Sequence, residues 1–111
     1  GVSYDAKEKD LAAKLMETYD SRDLIPESAE KVKDFEVIEI GRGGSTDVGD
    51  ISWVRPTTGM RAATWAPGTS AHSWQAVAAG GMSIGHKGMM VAAKTLSITA
   101  YDLYNYRKGQ E

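Results

Sequence analysis

The chain has no cysteine, which excludes a disulfide framework and any thiolate metal centre and fits a reducing compartment. Basic residues are not in excess either. The 13 Lys and Arg face 15 Asp and Glu, for a net charge of -2, and they are interleaved with acids instead of gathered on one stripe, so no nucleic-acid partner is expected. No run of about eighteen apolar residues exists to span a bilayer. No basic, apolar and small-residue signal stands at the start. These absences lead to the expectation of a soluble, cytoplasmic, globular protein without a membrane partner. Histidine occurs twice, so any imidazole chemistry rests on His72 and His86.

What is present is unevenly spread. Between Asp5 and Glu36 sixteen of thirty-two residues are charged, whereas from Ala62 to Tyr101 only Lys87 and Lys94 are. The pattern predicts a solvated N-terminal half and a deeply packed C-terminal half. A chain of 111 residues buries only roughly 65% of its unfolded surface, and so long a stretch poor in charge is hard to cover from within. The expectation is a piece of a longer protein, and the Gly1-Val2-Ser3 start, with no initiator Met, agrees with it.

Asp5 followed by Glu8 is an acidic variant of the capping box, and Leu11, Ala12, Leu15, Met16 and Tyr19 recur at helical spacing, which predicts an amphipathic helix over about 5–20. Pro26 suits the first turn of a short exposed helical segment ending near Lys31. Phe35 to Ile40 partly alternates apolar and acidic residues and is rich in β-branched side chains, which predicts a strand. Ile51 to Val54, closed by Pro56, reads as a second strand, and Met60 to Trp65 as a third that Ala62 and Ala63 weaken. Pro67-Gly68 breaks the chain. The glycines at 80, 81, 85 and 88 argue against a regular helix just beyond. From Ser83, however, Ile84, Met89, Ala93, Leu96, Ala100 and Leu103 keep helical spacing, which predicts a long helix to about Tyr104 whose small residues let another backbone approach. The fold class expected is α/β, with about three strands flanked by an N-terminal and a long C-terminal helix.

Two stretches carry candidate chemistry. GRGGSTDVGD, residues 41–50, follows the first expected strand, as anion-binding loops do. It lacks the Lys-Ser/Thr ending of a Walker loop and the dinucleotide spacing. It reads instead as a tight turn capped by Asp47 and Asp50, or as a loop that lines a pocket with Ser45, Thr46, Asp47 and Asp50. The second stretch is the Gly-Thr-Ser-Ala-His-Ser-Trp loop around His72. A neutral imidazole there suits zinc, manganese or cobalt, but a catalytic zinc takes about three protein ligands, so the plain reading is a hydrogen-bonded loop histidine. His86 has no partner at i, i+4 and reads as packing or capping the long helix. A Ser45–His72–Asp47 triad has no nucleophile elbow to support it. Met82, Met89 and Met90 read as core filler, and Trp53, Trp65 and Trp74 as packing.

The strings GRGGSTDVGDISWVRPTTGM and ATWAPGTSAHSWQAVAAGGMSIGHKGMMVAAKTL closely resemble the C-terminal end of the aminobenzoyl-glutamate utilisation amidohydrolases. That subfamily belongs to the dinuclear metallopeptidases, with carboxypeptidase G, the aminoacylases and the auxin-conjugate hydrolases. The resemblance covers about residues 35–104. It implies a metal-dependent amidohydrolase that cleaves an N-acyl amino acid such as p-aminobenzoyl-glutamate, using two divalent metal ions, zinc or manganese, and a glutamate base. His72 matches the family's last metal ligand. Ser45, Thr46 and Asp47 match a short Gly-Ser-x-Asp segment at the wall of the cleft, while Asp50 and His86 belong to the subfamily's pattern without an assigned role.

The chain departs from that pattern in having no His-x-Asp motif and no adjacent Glu-Glu pair. The resemblance therefore implies the C-terminal portion of a three-layer α/β/α catalytic domain, without the first half or the inserted dimerisation domain. Such a portion supplies one metal ligand and part of the pocket, holds no metal stably and is inactive alone. It would also expose an apolar surface and self-associate as a homo-oligomer. The alternative reading is a non-catalytic binding or interaction module of the same fold.

Overall fold

Asp5 opens the first helix as its sequence predicts. In the computed structural model, which describes residues 1–35, 37 and 46–108, its carboxylate accepts from the Lys7 and Glu8 amides at 2.9 Å each. Glu8 reaches back to the Asp5 amide at 2.7 Å, which completes the capping box. Helix α1, Ala6–Met16, buries Glu8, Ala12, Leu15 and Met16 on one face. A 3-10 turn follows at Pro26–Glu30, with proline in its first turn. The Val2 amide donates to the Ala29 carbonyl at 2.9 Å, so the N-terminal residues lie along that turn. Then come α2 (Val48–Val54), α3 (Trp74–Gly80) and α4 (Ser83–Lys108).

The core is one cluster in which Val2, Tyr4, Leu15 and Met16 meet Ala79 and Ile84 from α3 and α4. Two glycines of α4 make that meeting close. A Cβ on Gly85 would overlap the Gly80 backbone, and one on Gly88 would overlap the Ala63 carbonyl and the Thr64 methyl. The glycines that argue against a helix by propensity are thus the ones that let α3 and residues 63–64 lie on α4. The packing outweighs their propensity cost, which is about 1 kcal/mol each. No helix among the described residues is long and apolar enough to cross a membrane.

The α/β expectation is corrected. Among the described residues there are helices and no strand. Ile51–Val54, expected as a strand, forms the last turn of α2, where Arg55 N–H donates to Ile51 O at 3.0 Å and Ser52 Oγ donates to Gly49 O at 2.6 Å. A strand needs a neighbour to complete its ladder, and without one the segment satisfies its backbone internally. Residues 60–65 carry no regular secondary structure and pack by Ala63 and Trp65 on the core. In the first expected strand, Glu36 and residues 38–40 lie outside the described residues, and Phe35 is 87% exposed. A three-layer α/β/α arrangement is not formed among the described residues.

The expected distribution of burial is corrected as well. The charge-rich N-terminal stretch, with Val2 and Tyr4 just ahead of it, supplies Ala12, Leu15, Met16 and Ala29 to the core, whereas in α4 every residue from Ala93 to Tyr106 is exposed. Helical periodicity explains the first half of this: α1 turns its charges to one side and leaves an apolar stripe on the other.

Candidate functional site

The loop that bears His72 is held by tyrosines from the start of the chain. Tyr4 Oη donates to the Trp65 carbonyl at 3.2 Å. Burial first, and then the charges of Glu8 and Tyr19, push the Tyr4 hydroxyl up to about 12, so it remains a donor throughout the neutral range. Tyr19 Oη donates to the Pro67 carbonyl at 2.8 Å and lies 3.1 Å from Thr69 Oγ1. Between them the loop makes a tight turn, with Pro67 and Gly68 at its centre and Thr69 N–H donating to Ala66 O at 3.2 Å. Gly68 has φ +81, the left-handed region that glycine enters without strain. Gln75 adds a further tie, its Nε2 donating to Thr18 Oγ1 at 2.9 Å.

Ser73 ends the loop by starting α3. Its Oγ accepts from the Ala76 amide at 3.2 Å and donates to Ser70 O at 2.7 Å, an N-cap that fixes the residue beside it. That residue is His72, at φ 58, a left-handed conformation in which histidine is more frequent than most side chains. Its imidazole is exposed and makes no hydrogen bond or ion pair with any described residue, so the hydrogen-bonded loop histidine is not what forms. His72 lines an open cleft of about 500 Å³ with Trp65, Ser73, Trp74, Ala76 and Val77. Two indoles and one free imidazole suit a planar group that stacks and accepts or shares one polar contact.

The other expected site residues lie elsewhere. Thr46 accepts from the Val48 amide at 3.4 Å ahead of α2. Asp47 occupies the N-cap position without a side-chain cap bond, and Asp50 lies in the first turn. Both aspartates are exposed, α2 buries none of its residues, and none of the three lines the His72 cleft. Ser45 falls outside the described residues. His86 lines a second cleft, of about 390 Å³, with Ser3, Lys87 and Lys94 among others. Among the described residues no group of three or more His, Cys, Asp or Glu side chains is placed to hold a metal ion. This donor set does not by itself fit a catalytic divalent ion, which takes about three protein ligands; it fits a single imidazole contributed to such a site.

One charged pair has no counterpart in the sequence reading. Lys87 Nζ donates to Glu8 Oε2 at 2.5 Å and to the Ser3 carbonyl at 3.0 Å, joining α4 to α1. Glu8 is 3% exposed. Burial alone would raise its carboxyl, but Lys87, the Ser83 hydroxyl and the Asp5 amide outweigh it and hold the group at about 2. Its Oε1 is buried without a hydrogen-bond partner among the described residues. The signal lay in Lys87 itself, one of two charges in a forty-residue stretch and therefore in need of a partner if any of that stretch packs.

Against known proteins, 60 residues of the chain, 54% of its length, are 48% identical to one of the subunits of the p-aminobenzoyl-glutamate hydrolase of Escherichia coli (strain K12). The match covers 12% of that protein, so the chain spans far less than two thirds of this relative. No family model matches the chain. No solved structure matches it.

Proposed function

We propose that this chain is the C-terminal part of a metal-dependent amidohydrolase that cleaves an N-acyl amino acid such as p-aminobenzoyl-glutamate. The observation that carries the reading is the 48% identity over 60 residues to a p-aminobenzoyl-glutamate hydrolase. His72 supports it: the imidazole is free, presented at the mouth of a cleft and fixed at its backbone by the Ser73 cap and the Tyr19 anchor. A metal ligand requires such a lone pair held in place.

In this reading the divalent ions, when bound, polarise the scissile carbonyl and lower the pKa of a bound water. The chain's own residues do three things. His72 offers one nitrogen as a ligand; Trp65 and Trp74 give the acyl group an apolar wall and exclude water from one side; Tyr4 and Tyr19 hold the loop. The remaining ligands and the general base come from outside this chain, which is inactive alone. Thr46, Asp47 and Asp50 join the pocket only if α2 packs against a further part of the protein.

The test is a chimera. The matched 60 residues of the Escherichia coli relative are replaced by those of this chain, and p-aminobenzoyl-glutamate hydrolysis and bound metal are measured with and without His72→Ala. Retained hydrolysis, lost together with metal in the variant, is the expected result. A folded chimera that holds its metal but does not hydrolyse the substrate, or a His72→Ala variant with full metal and activity, would overturn the reading.

A further inference from the structure

Helix α4 has two faces of different fate. The face that packs on the molecule's own core runs through Ile84, Gly88 and Val91. Continued along the helix, that face becomes Thr95, Ile98, Asp102 and Asn105, of which only Ile98 is apolar. Thr95 and Asn105 turn back on their own helix, donating to Val91 O at 2.9 Å and Tyr101 O at 3.0 Å. The opposite face does the reverse. Met89, Ala93, Leu96, Ala100 and Leu103 follow one another at spacings of four and three, the repeat of a two-helix seam. All five are exposed. A 26-residue helix is about 39 Å long, so this seam runs well past the core that anchors its first turns.

The seam alternates large and small residues, and its own reverse completes it. If a second α4 lies antiparallel with the two-fold axis at the level of Ile98, Ala93 faces Leu103 and Leu96 faces Ala100, so every central layer pairs a leucine with an alanine. Facing positions that alternate in size interdigitate without voids, and the alanines let the helices approach closely. A parallel pair would instead set alanine on alanine and leucine on leucine. Lys94 is the only charge between Met89 and Tyr101, so little repulsion opposes a self-contact, and a two-fold contact uses one patch on both copies.

We propose that the exposed seam of α4 is a docking surface for a second copy of this chain, in an antiparallel pair of α4 helices. The proposal is independent of the hydrolase reading. Because the chain has no cysteine of its own, single cysteines report the register. Ala93→Cys and Leu103→Cys chains, mixed and oxidised, form the mixed disulfide in large excess over either self-linked species, since two copies of residue 103 lie about 15 Å apart along the axis. Leu96→Glu, at an exposed position, shifts the chain from dimer to monomer in analytical ultracentrifugation with its circular dichroism unchanged. A wild-type chain that stays monomeric at the highest soluble concentration would overturn the proposal and assign the seam to a different partner. Self-linking of Leu103→Cys as efficient as the mixed reaction would overturn the antiparallel arrangement.

Discussion

Helix α1 and the second half of α4 each carry an apolar stripe at helical spacing, and only one of the two stripes is covered. In α1 the stripe is buried by chain that arrives from far along the sequence: Ala66, Ala79 and Ile84 close over Leu15 and Met16. In α4 the stripe is left open, with Leu96 and Leu103 59% and 64% exposed. Charge content would rank the two the other way round. Charges on one side of a helix do not prevent its other side from packing, and a scarcity of charge creates no partner. The radius of gyration, 16.7 Å, reflects the result, since a compact domain of this size has about 13 Å.

Truncating a leucine in each stripe separates the two most strongly. Leu15→Ala is expected to lose about 2–5 kcal/mol in denaturant unfolding, as buried leucines do, whereas Leu96→Ala in dilute solution stays within about 0.5 kcal/mol of the starting chain. Equal losses would mean that the two stripes are equally covered. Two glycines sharpen the contrast next. Gly88→Ala should destabilise by roughly 1–3 kcal/mol, because the new Cβ meets the Ala63 carbonyl and the overlap outweighs the better helix propensity. Gly49→Ala in α2 meets nothing and should raise helix content by circular dichroism without moving the unfolding midpoint.

The third effect is confined to acid. Glu8 has a folded-state pKa of about 2, below its ordinary 4.5. Its contribution is therefore complete above about pH 4.5 and is lost as the pH falls from there through 2. Unfolding free energy measured against pH should slope downward in that window, and Glu8→Gln should flatten the slope while lowering stability at neutral pH. An unchanged slope in Glu8→Gln would remove the α1–α4 ion pair from the account of the packed region.

The legible parts of the fold are those that local chemistry decides. Asp5 and Glu8 make their capping box, Pro26 opens its short turn, and the spacing from Ile84 to Leu103 becomes α4. What fails is everything that depends on a neighbour. Ile51-Ser52-Trp53-Val54 has the composition of a strand, yet with no second strand beside it among the described residues the segment closes its hydrogen bonds as a helix and leaves Trp53 88% exposed. Propensity reads the glycines at 85 and 88 as helix breakers, when their role is the approach of Gly80 and Ala63. At the site, the Gly/Pro-containing loop marks His72 as held at the edge of a core. That Tyr4 and Tyr19 hold it is invisible in the sequence, because those bonds span 61 and 48 residues. Resemblance groups Thr46, Asp47 and Asp50 with His72, and the fold of this chain does not bring them together.

Residues 1–30 with α3 and the first turns of α4 form one packed unit, whereas the side chains of α2 and of residues 93–106 stand exposed. Residue-resolved amide hydrogen exchange of the dilute chain at neutral pH tests it most directly. The slowest exchange is expected in α1 and around Ile84–Val91, with α2 exchanging orders of magnitude faster and residues 96–106 slowing as concentration rises. Protection of α2 equal to that of α1 would contradict it.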